Sequence, residues 1–224
     1  MKILGIDTST KYLCLGLFLD GKIYEYRLEV ERRLSRLLVP TVARVLSALK
    51  IEIQEIDYFA CGLGPGSFTG IRVGLAAIKG LSIANNKPLI GISTLDIIAK
   101  NAKNDARLIV TALDARRDLI YYATYRNQND NLKRVSAYKL ITFKDFIAKL
   151  KNSALVLGDA LDLYGAKILT QGKGVSIGDK DGWYPKPGNL IELALAKIKA
   201  GQLDSSLTLK PIYLYSQECQ IKSR

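Results

Sequence analysis

Hydrophobic positions form three closely spaced, strand-like segments at the start of the chain. Residues 2–7 and 13–19 are apolar nearly throughout, whereas residues 22–29 alternate between apolar and charged side chains. Asp20-Gly21, between the second and third segments, is a strong hairpin signal because both residues tolerate the positive φ of a tight turn. The pattern predicts a strand-turn-strand-turn-strand unit, and its near-continuous apolar strands favour a sheet that is covered on both faces.

The same order of elements recurs in the middle of the chain. Residues 107–114 form an apolar segment that ends in aspartate, as residues 2–7 do, and residues 119–125 form a second one. A polar turn at 127–131 separates these from a third segment at 132–140. The repeat predicts an internal duplication and an α/β fold with two lobes.

Helices and further strands are predicted after each unit. Apolar residues recur at helical spacing over residues 34–49, and small residues do so over residues 70–84. Pro40 should kink the first of these helices or delay its start by a turn. The other predicted elements are strands at 58–63, 87–92 and 154–157, helices at 94–103, 142–151, 160–169 and 188–199, and a glycine-rich loop at 172–182.

The length and the apolar content bound the organisation of the chain. A sequence of 224 residues that is 48% apolar can bury a sizeable core. The polar stretch at 103–105 predicts one lobe over residues 1–104 and another over residues 105–224.

The sequence predicts neither a membrane span nor a secretory signal. Its apolar runs are shorter than the roughly 18 residues that a span requires, and the first predicted strand begins at residue 2. Cys14 and Cys61 lie in apolar strands, which favours buried free thiols and a cytoplasmic location.

Charge balance and the lack of histidine narrow the possible chemistry. Lysine and arginine exceed aspartate and glutamate by 33 − 21 = 12, and such a field attracts phosphate polymers. A solvated basic surface and a track for tRNA both explain that charge, and no known RNA-binding module is recognisable. The chain contains no histidine, which excludes histidine-ligated zinc, Ser-His-Asp triads and Cys-His dyads.

A glycine-rich run joins the predicted strand at 58–63 to the second helix. Gly64-Pro65-Gly66-Ser67-Phe68-Thr69-Gly70 marks a sharp turn that requires positive φ or a close approach of the backbone. Ser67 or Thr69 can cap the following helix, and the N-terminus of that helix could hold an anion. A tight strand-to-helix corner without a ligand also explains the spacing, and no Gly-Lys-Ser/Thr follows as a P-loop would require.

Small residues continue along the second helix at spacings of three or four. They are Gly70, Gly74, Ala77, Gly80 and Ala84. Glycine inside a helix is less favourable than alanine by roughly 1 kcal/mol, so another interaction should offset that loss. The ridge is explained either by close packing within this chain or by a partner helix docked on it.

Three segments together resemble the bacterial TsaB family, also called YeaZ. They are Ile3-Leu4-Gly5-Ile6-Asp7-Thr8-Ser9-Thr10, the glycine-rich run continued through Ile71-Arg72-Val73-Gly74, and Leu113-Asp114-Ala115-Arg116-Arg117. Members of that family are partner subunits in the synthesis of threonylcarbamoyladenosine in tRNA. The resemblance covers at least the first 126 residues. It implies the actin–hexokinase–Hsp70 (ASKHA) fold, of the actin-like ATPase and ribonuclease H-like type.

The resemblance also identifies candidate nucleotide- or phosphate-binding residues in the turn after the first strand of each lobe. In ATP-hydrolysing ASKHA proteins these turns wrap phosphates and magnesium. The candidates are Asp7, Thr8, Ser9, Thr10, Asp114 and Arg116. The second turn contains no glycine, and side chains hinder the approach of backbone N–H groups to a triphosphate, so we expect weak or absent ATP hydrolysis by this chain alone. Asp7 is also explained as a simple turn former, and Arg116 as a solvent-exposed side chain.

The resemblance implies a scaffold subunit without catalytic residues. The family's transferase paralogue, TsaD, holds its metal through histidines, so no metal ligand and no required cofactor are expected here, while ATP or ADP with magnesium could sit at the partner interface. The implied partners are a TsaD-type paralogue, a TsaE-type ATPase and, through the complex, tRNA. The expected partner-binding residues are Leu34, Leu38, Val42, Gly70, Val73, Gly74, Ala77, Gly80 and Ala84.

Two other functions are open at this point. An autonomous ASKHA ATPase or phosphotransferase would place Asp7 and Asp114 beside a magnesium ion. A homodimeric interaction protein would use the same helix face on a second copy, because a symmetric contact uses one patch twice. Nucleotide titration and the mass of the isolated protein in solution distinguish these two from the scaffold.

Overall fold

The structure is a computed structural model that describes residues 1–30, 33–128 and 131–215. Its contacts divide the chain into two compact units, the first comprising Met1–Ile97 and Pro185–Pro211, and the second comprising Ile98–Tyr184 and the segment that starts at Ile212. Helices α1–α6 span Leu34–Ala48, Phe68–Ala84, Thr94–Ala99, Phe143–Lys149, Ala160–Gln171 and Pro187–Lys199. Strands β1–β11 span Lys2–Asp7, Tyr12–Leu19, Lys22–Glu29, Tyr58–Gly62, Leu89–Ile92, Leu108–Asp114, Leu119–Gln128, Asn131–Arg134, Lys139–Thr142, Ala154–Leu157 and Ser176–Ile177.

The first unit is built on a five-stranded mixed sheet. Its strand order is β3-β2-β1-β4-β5, in which β1, β2 and β3 are antiparallel and β4 and β5 run parallel to β1. β1 is buried from its second residue onward, whereas β3 alternates between half-buried and exposed residues at the edge. The three predicted N-terminal strands are thus confirmed, and the alternating one is the edge strand.

The last helix, α6, packs on the sheet of this first unit. Leu190 and Ile191 join the core there. At Gly16 an added Cβ would come within 3.0 Å of Ile191, so the missing side chain lets the helix approach the sheet. The observed second unit therefore differs from the lobe expected over residues 105–224, because α6 buries its apolar face in the first unit.

The first helix, α1, starts at Leu34 and contains Pro40 in its interior. Of the two effects expected of this proline, a kink or a delayed start, the delayed start is therefore wrong. Proline removes one backbone donor, which leaves the carbonyl of Arg36 without its usual intrahelical partner. Both residues are on the exposed side of the helix, where water can satisfy that carbonyl, while Leu38 and Val42 face the core.

The second unit repeats the first. Its sheet has the order β11-β10-β6-β7-β8, in which β6, β7 and β8 are antiparallel and β10 and β11 run parallel to β6. The core contains Val110 and Val156 from the sheet, Phe146 from α4 and Leu161 from α5. Because the strand order and directions match those of the first sheet, the predicted duplication is confirmed.

Two predicted elements of the second unit are wrong in detail. The segment at 132–140 is not one strand but two, β8 and β9, which both pair with β7. Between them Ser136 Oγ accepts a hydrogen bond from Thr124 N at 2.9 Å, so a side chain replaces the backbone partner and interrupts the strand. The glycine-rich loop predicted at 172–182 contains β11, which has only two residues and is too short for any periodicity to reveal.

Candidate functional site

Asp7 ends β1, and its carboxylate is completely buried. Its Oδ1 accepts hydrogen bonds from Ser9 N at 2.8 Å and from Ser9 Oγ at 2.6 Å. Its Oδ2 accepts a hydrogen bond from Thr94 Oγ1 at 2.7 Å. Burial raises the pKa of Asp7 above its usual value, although the three donors oppose that shift. The bond to the backbone two residues on is the geometry expected of a turn-forming aspartate.

The glycine-rich run packs directly on this first turn. Ser67 N donates to the carbonyl of Ser9 at 2.7 Å, and Thr8 Oγ1 donates to the carbonyl of Gly70 at 2.7 Å. A Cβ added at Gly66 or Gly70 would lie closer than 3.0 Å to a backbone oxygen of the turn. Glycine is therefore required at both positions because the two backbones touch there.

The N-terminus of α2 is capped from within the chain. Ser67 occupies the N-cap and accepts a hydrogen bond from Gly70 N at 3.2 Å, so Ser67 rather than Thr69 is the cap. The candidate residues Thr8 and Ser9 are each only 2% exposed, and Thr10 is half-buried. Because Ser67 N and Gly70 N already donate to acceptors within the chain, the geometry favours a tight corner without a ligand.

The corresponding turn of the second unit is built differently. Asp114 Oδ1 accepts a hydrogen bond from Arg116 N at 2.8 Å, and Asp114 Oδ2 lies 3.1 Å from Arg116 Nη1. Arg116, Arg117 and Asp118 all have positive φ, at 64°, 54° and 57°. A left-handed backbone is unfavourable for a residue with a Cβ by about 1 kcal/mol or more, so this glycine-free turn is strained.

Neighbouring groups of the second unit hold the strained turn in place. Tyr164 OH donates to Asp118 Oδ1 at 3.0 Å, and Phe143 N donates to the carbonyl of Asp118 at 2.8 Å. Tyr215 OH donates to the carbonyl of Ala115. These contacts come from three separate segments, and together they explain how the chain maintains three consecutive left-handed residues.

Asp159 lies beside Asp114, although the sequence pattern did not single it out. Asp159 Oδ1 accepts a hydrogen bond from Asp114 N at 2.9 Å. Burial, with a smaller contribution from the Asp114 charge, raises the pKa of Asp159 to about 7. Gly158 has a φ of 121° and leaves room for the carbonyl of Ala112. A Gly-Asp pair directly after an apolar strand was the available signal for this site.

The structure divides the candidate partner-binding residues into buried and accessible ones. The buried ones are Leu34, Leu38, Val42, Gly70 and Gly74. The half-buried ones are Val73 and Ala77, and the exposed ones are Gly80 and Ala84. An added Cβ would meet Thr8 at Gly74 but no atom within 4 Å at Gly80. The first half of the small-residue ridge therefore packs within this chain, and the second half is accessible.

Large apolar side chains that the periodicity did not identify are exposed on the same two helices. Val39 on α1 is 66% exposed, and Phe68 and Ile83 on α2 are 46% and 56% exposed. The guanidinium of Arg72 lies 3.7 Å from the centroid of the Phe68 ring, which is a cation–π contact. Helical periodicity marks the buried stripe of a helix, so these outward-facing residues could not be found from it.

The remaining candidate chemistry is limited. Cys14 and Cys61 are buried free thiols, as predicted, and burial raises the pKa of both; Cys219 lies outside the described residues. Within the described ranges, no three His, Cys, Asp or Glu side chains are grouped as a metal site requires. No helix in the described part of the chain combines the length and apolar character of a membrane span.

The duplicated sheets and the two turns define the class of protein, which is an α/β protein with the ASKHA fold. YeaZ from Pseudomonas aeruginosa is similar in structure, with a TM-score of 0.83 over 95% of this chain and 99% of that chain at 23% sequence identity. A family model of TsaD, described as tRNA N6-adenosine threonylcarbamoyltransferase, matches residues 28–176.

Curated relatives narrow the class to one family. A protein of Bacillus subtilis strain 168 is 30% identical over 228 residues, which cover 99% of this chain and 97% of that protein. A protein of Escherichia coli K12 is 34% identical over 134 residues, which cover 59% of this chain and 58% of that protein. Both are named tRNA threonylcarbamoyladenosine biosynthesis protein TsaB. The chain belongs to the TsaB family, which confirms the resemblance.

Proposed function

We propose that this protein is a non-catalytic subunit in the synthesis of threonylcarbamoyladenosine in tRNA, and that it pairs with a TsaD-type transferase. The observation that carries the proposal is the exposed apolar surface of α1 and α2, to which Val39, Phe68 and Ile83 contribute. The names of the TsaB relatives support the pathway. The partner would supply the transfer chemistry, and the complex would recruit a TsaE-type ATPase and tRNA.

The accessible half of the small-residue ridge fits this role. Gly80 and Ala84 present little side chain, so a partner helix could approach the backbone of α2 closely. Exposed apolar residues beside such a ridge bury surface on association, which is the main favourable contribution at an interface core. Arg72 already packs its guanidinium on Phe68 and would lie at the rim of the contact.

The geometry of the first turn supports a role without catalysis. Asp7 is buried, and both of its oxygens accept hydrogen bonds from Ser9 and Thr94. An autonomous ATPase would need that carboxylate to face magnesium or its ordered water. Any ATP or ADP of the assembled complex is therefore better placed at the partner interface than in this turn.

The test is a pair of charge-introducing double variants. Val39→Glu/Ile83→Glu places two carboxylates on the proposed face. Leu163→Glu/Leu169→Glu, on α5, is the matched control because these leucines are 60% and 48% exposed. Affinity for the TsaD-type paralogue from the same genome is measured by isothermal titration calorimetry. The first variant should weaken binding roughly 100-fold or more, because burying two unpaired charges is strongly unfavourable.

The same titration can refute the proposal. Equal affinities of the wild type and Val39→Glu/Ile83→Glu, with both folded by circular dichroism, would show that this face is not the interface. In the absence of the paralogue, the face could pair with a second copy. Sedimentation equilibrium of the isolated wild type and of the same variant tests that possibility, since the variant should then remain monomeric at concentrations at which the wild type dimerises.

A further inference from the structure

The second unit contains a half-open cavity of about 590 Å³ between its sheet and the C-terminal end of α4. Tyr122 and Leu150 contribute apolar surface to its lining, and Thr124 and Ser136 contribute hydroxyl groups. A cavity of this size can hold a nucleobase with its sugar. The proposed partner face, on α1 and α2, does not include it.

In the part of the chain that the structure describes, every charged side chain that lines the cavity is a cation. They are Arg126, Lys149 and Lys151, and all three are exposed. Among the described residues, none of them forms an ion pair with a carboxylate. A cluster of like charges without counter-charges favours an anionic ligand.

A second cation pair extends the cluster along the sheet. Arg126 on β7 lies directly opposite Lys133 on β8 in the antiparallel register. Directly opposed residues share a face, and like charges at such positions destabilise the pair of strands. The negative end of the α4 dipole can account for Lys149 in its last turn. The helix dipole does not account for the opposed cations Arg126 and Lys133 on the strands. An anion bound between them does account for this pair.

The sequence around the cavity is also rich in basic residues and poor in acidic ones. Residues 122–153 contain seven lysines and arginines but only two acidic residues, Asp130 and Asp145. Asp145 lies in the first turn of α4, at the end away from the cavity, and accepts a hydrogen bond from Thr142 Oγ1. Asp130 lies outside the described residues. The cations around the cavity are too many for a single phosphate and suit a chain of them.

We propose that this cavity binds an unpaired nucleotide of an RNA loop. The base enters the cavity against its apolar lining, and the flanking phosphates lie on Arg126, Lys133, Lys149 and Lys151. RNA is recognised mainly at such unstacked nucleotides because their bases are accessible. A base that is paired and stacked within a duplex is not free to enter the cavity. The choice of tRNA as the probe rests on the proposed function, whereas the site itself rests on the cavity and its charges.

The charge contribution is tested with two triple variants of the full chain. Arg126→Gln/Lys149→Gln/Lys151→Gln removes the cations of the cavity. Lys22→Gln/Lys167→Gln/Lys173→Gln removes the same number of exposed charges elsewhere. Binding of a fluorescein-labelled, unmodified tRNA transcript is followed by anisotropy from 50 to 200 mM salt. The cavity variant should bind at least tenfold more weakly, and its salt slope should fall by about 2, whereas the control should stay within about threefold of the wild type.

The base contribution is tested without changing any charge. Ala148→Trp fills the cavity from its rim, and Ala166→Trp places the same side chain on an exposed position of α5. Only Ala148→Trp should weaken the binding of tRNA. Neither variant should change the weak binding of double-stranded RNA of the same length, because a paired base does not enter the cavity.

Three results would overturn the proposal. They are equal effects of the two triple variants, equal effects of the two tryptophan variants, and binding of free AMP in the cavity as tightly as tRNA, which would make the site one for small nucleotides. Binding of the cavity variants to the TsaD-type paralogue is measured in parallel. That affinity should be unchanged, so a failure of the RNA site and a failure of the proposed partner face give different results.

Discussion

Thr8 and Gly70 are joined by a hydrogen bond of 2.7 Å from the threonine hydroxyl to the glycine carbonyl, across 62 residues of sequence. The same hydroxyl fills the space above Gly74, one turn further along α2. The first turn of the chain therefore sits against α2 at two points where a Cβ is missing. This contact fixes the position of the helix whose far end carries the accessible Gly80 and Ala84.

Replacing glycine by alanine should destabilise the protein in the first half of the small-residue ridge and stabilise it in the second half. Gly74→Ala introduces a Cβ closer than 3.0 Å to Thr8 Oγ1, so we expect a loss of about 2 kcal/mol in the free energy of unfolding. Gly80→Ala meets no atom within 4 Å and should gain about 0.5–1 kcal/mol from helix propensity. Urea unfolding followed by circular dichroism measures both values.

A double variant identifies the cause of the first effect. In a Thr8→Ala background the obstructing hydroxyl is absent, so Gly74→Ala should be less destabilising there than in the wild type. A destabilisation of Gly74→Ala that is unchanged by Thr8→Ala would show that the contact with Thr8 is not responsible.

Thr94 should be essential to the buried carboxylate at the end of β1. Thr94→Val keeps the shape of the side chain but removes the donor to Asp7 Oδ2, which would leave a buried oxygen without a partner. We expect a loss of about 1–3 kcal/mol, and Thr94→Ser should restore most of it. Because the donor stabilises the carboxylate more than the protonated acid, the loss should shrink as the pH falls through the raised pKa of Asp7. Similar stabilities of the valine and serine variants would contradict this account.

Short-range signals in the sequence were sufficient for much of the fold. The apolar runs and the Asp20-Gly21 turn identified β1, β2 and β3, and the aspartate that ends residues 107–114 revealed the duplication. The helix predicted at 142–151 begins with Thr142, which caps α4 by accepting a hydrogen bond from Asp145 N. In each case the deciding interaction lies within a few residues or follows a simple period.

What the sequence did not reveal depends on contacts between distant segments. The helical period identified Leu34, Leu38 and Val42, but a period reports the face that the chain itself buries, and these side chains are in the core. The outward-facing Val39 carries no such signal. Asp159 was missed because its partner Asp114 is 45 residues away, and only the folded sheet brings them together.

The strained turn of the second unit should be relieved by glycine. Arg117 is exposed and has a φ of 54°, so Arg117→Gly removes the unfavourable contact of its Cβ without loss of a buried side chain. We expect the free energy of unfolding to rise by about 1 kcal/mol, whereas Arg117→Ala, which keeps the Cβ, should give no such gain. Both variants lose the charge of Arg117, so thermal unfolding of the two at equal ionic strength separates the backbone effect from the effect of the charge. Equal stabilities of the two variants would show that the turn is not strained at this residue.

Asp159 should make the protein less stable as the pH rises from about 4 to about 7. Its pKa is about 7 in the folded chain and about 3.8 when unfolded, so between these values only the folded state holds the proton. Stability therefore falls as the pH rises, since the folded state binds more protons than the unfolded state does. Asp159→Asn cannot ionise but can still accept the hydrogen bond from Asp114 N.

Between pH 4 and pH 8, the unfolding free energy of Asp159→Asn should therefore rise by roughly 2 kcal/mol relative to that of the wild type. This value is smaller than the free energy that corresponds to the full pKa shift, because Asp159 is only partly buried. Asp20→Asn removes an exposed carboxylate from a hairpin turn and is the control for the loss of one negative charge. Urea titrations at four pH values measure both curves. A constant difference for Asp159→Asn would show that the pKa of Asp159 is the same in the folded and unfolded states, so that Arg116 and the Asp114 backbone donor offset the effect of burial.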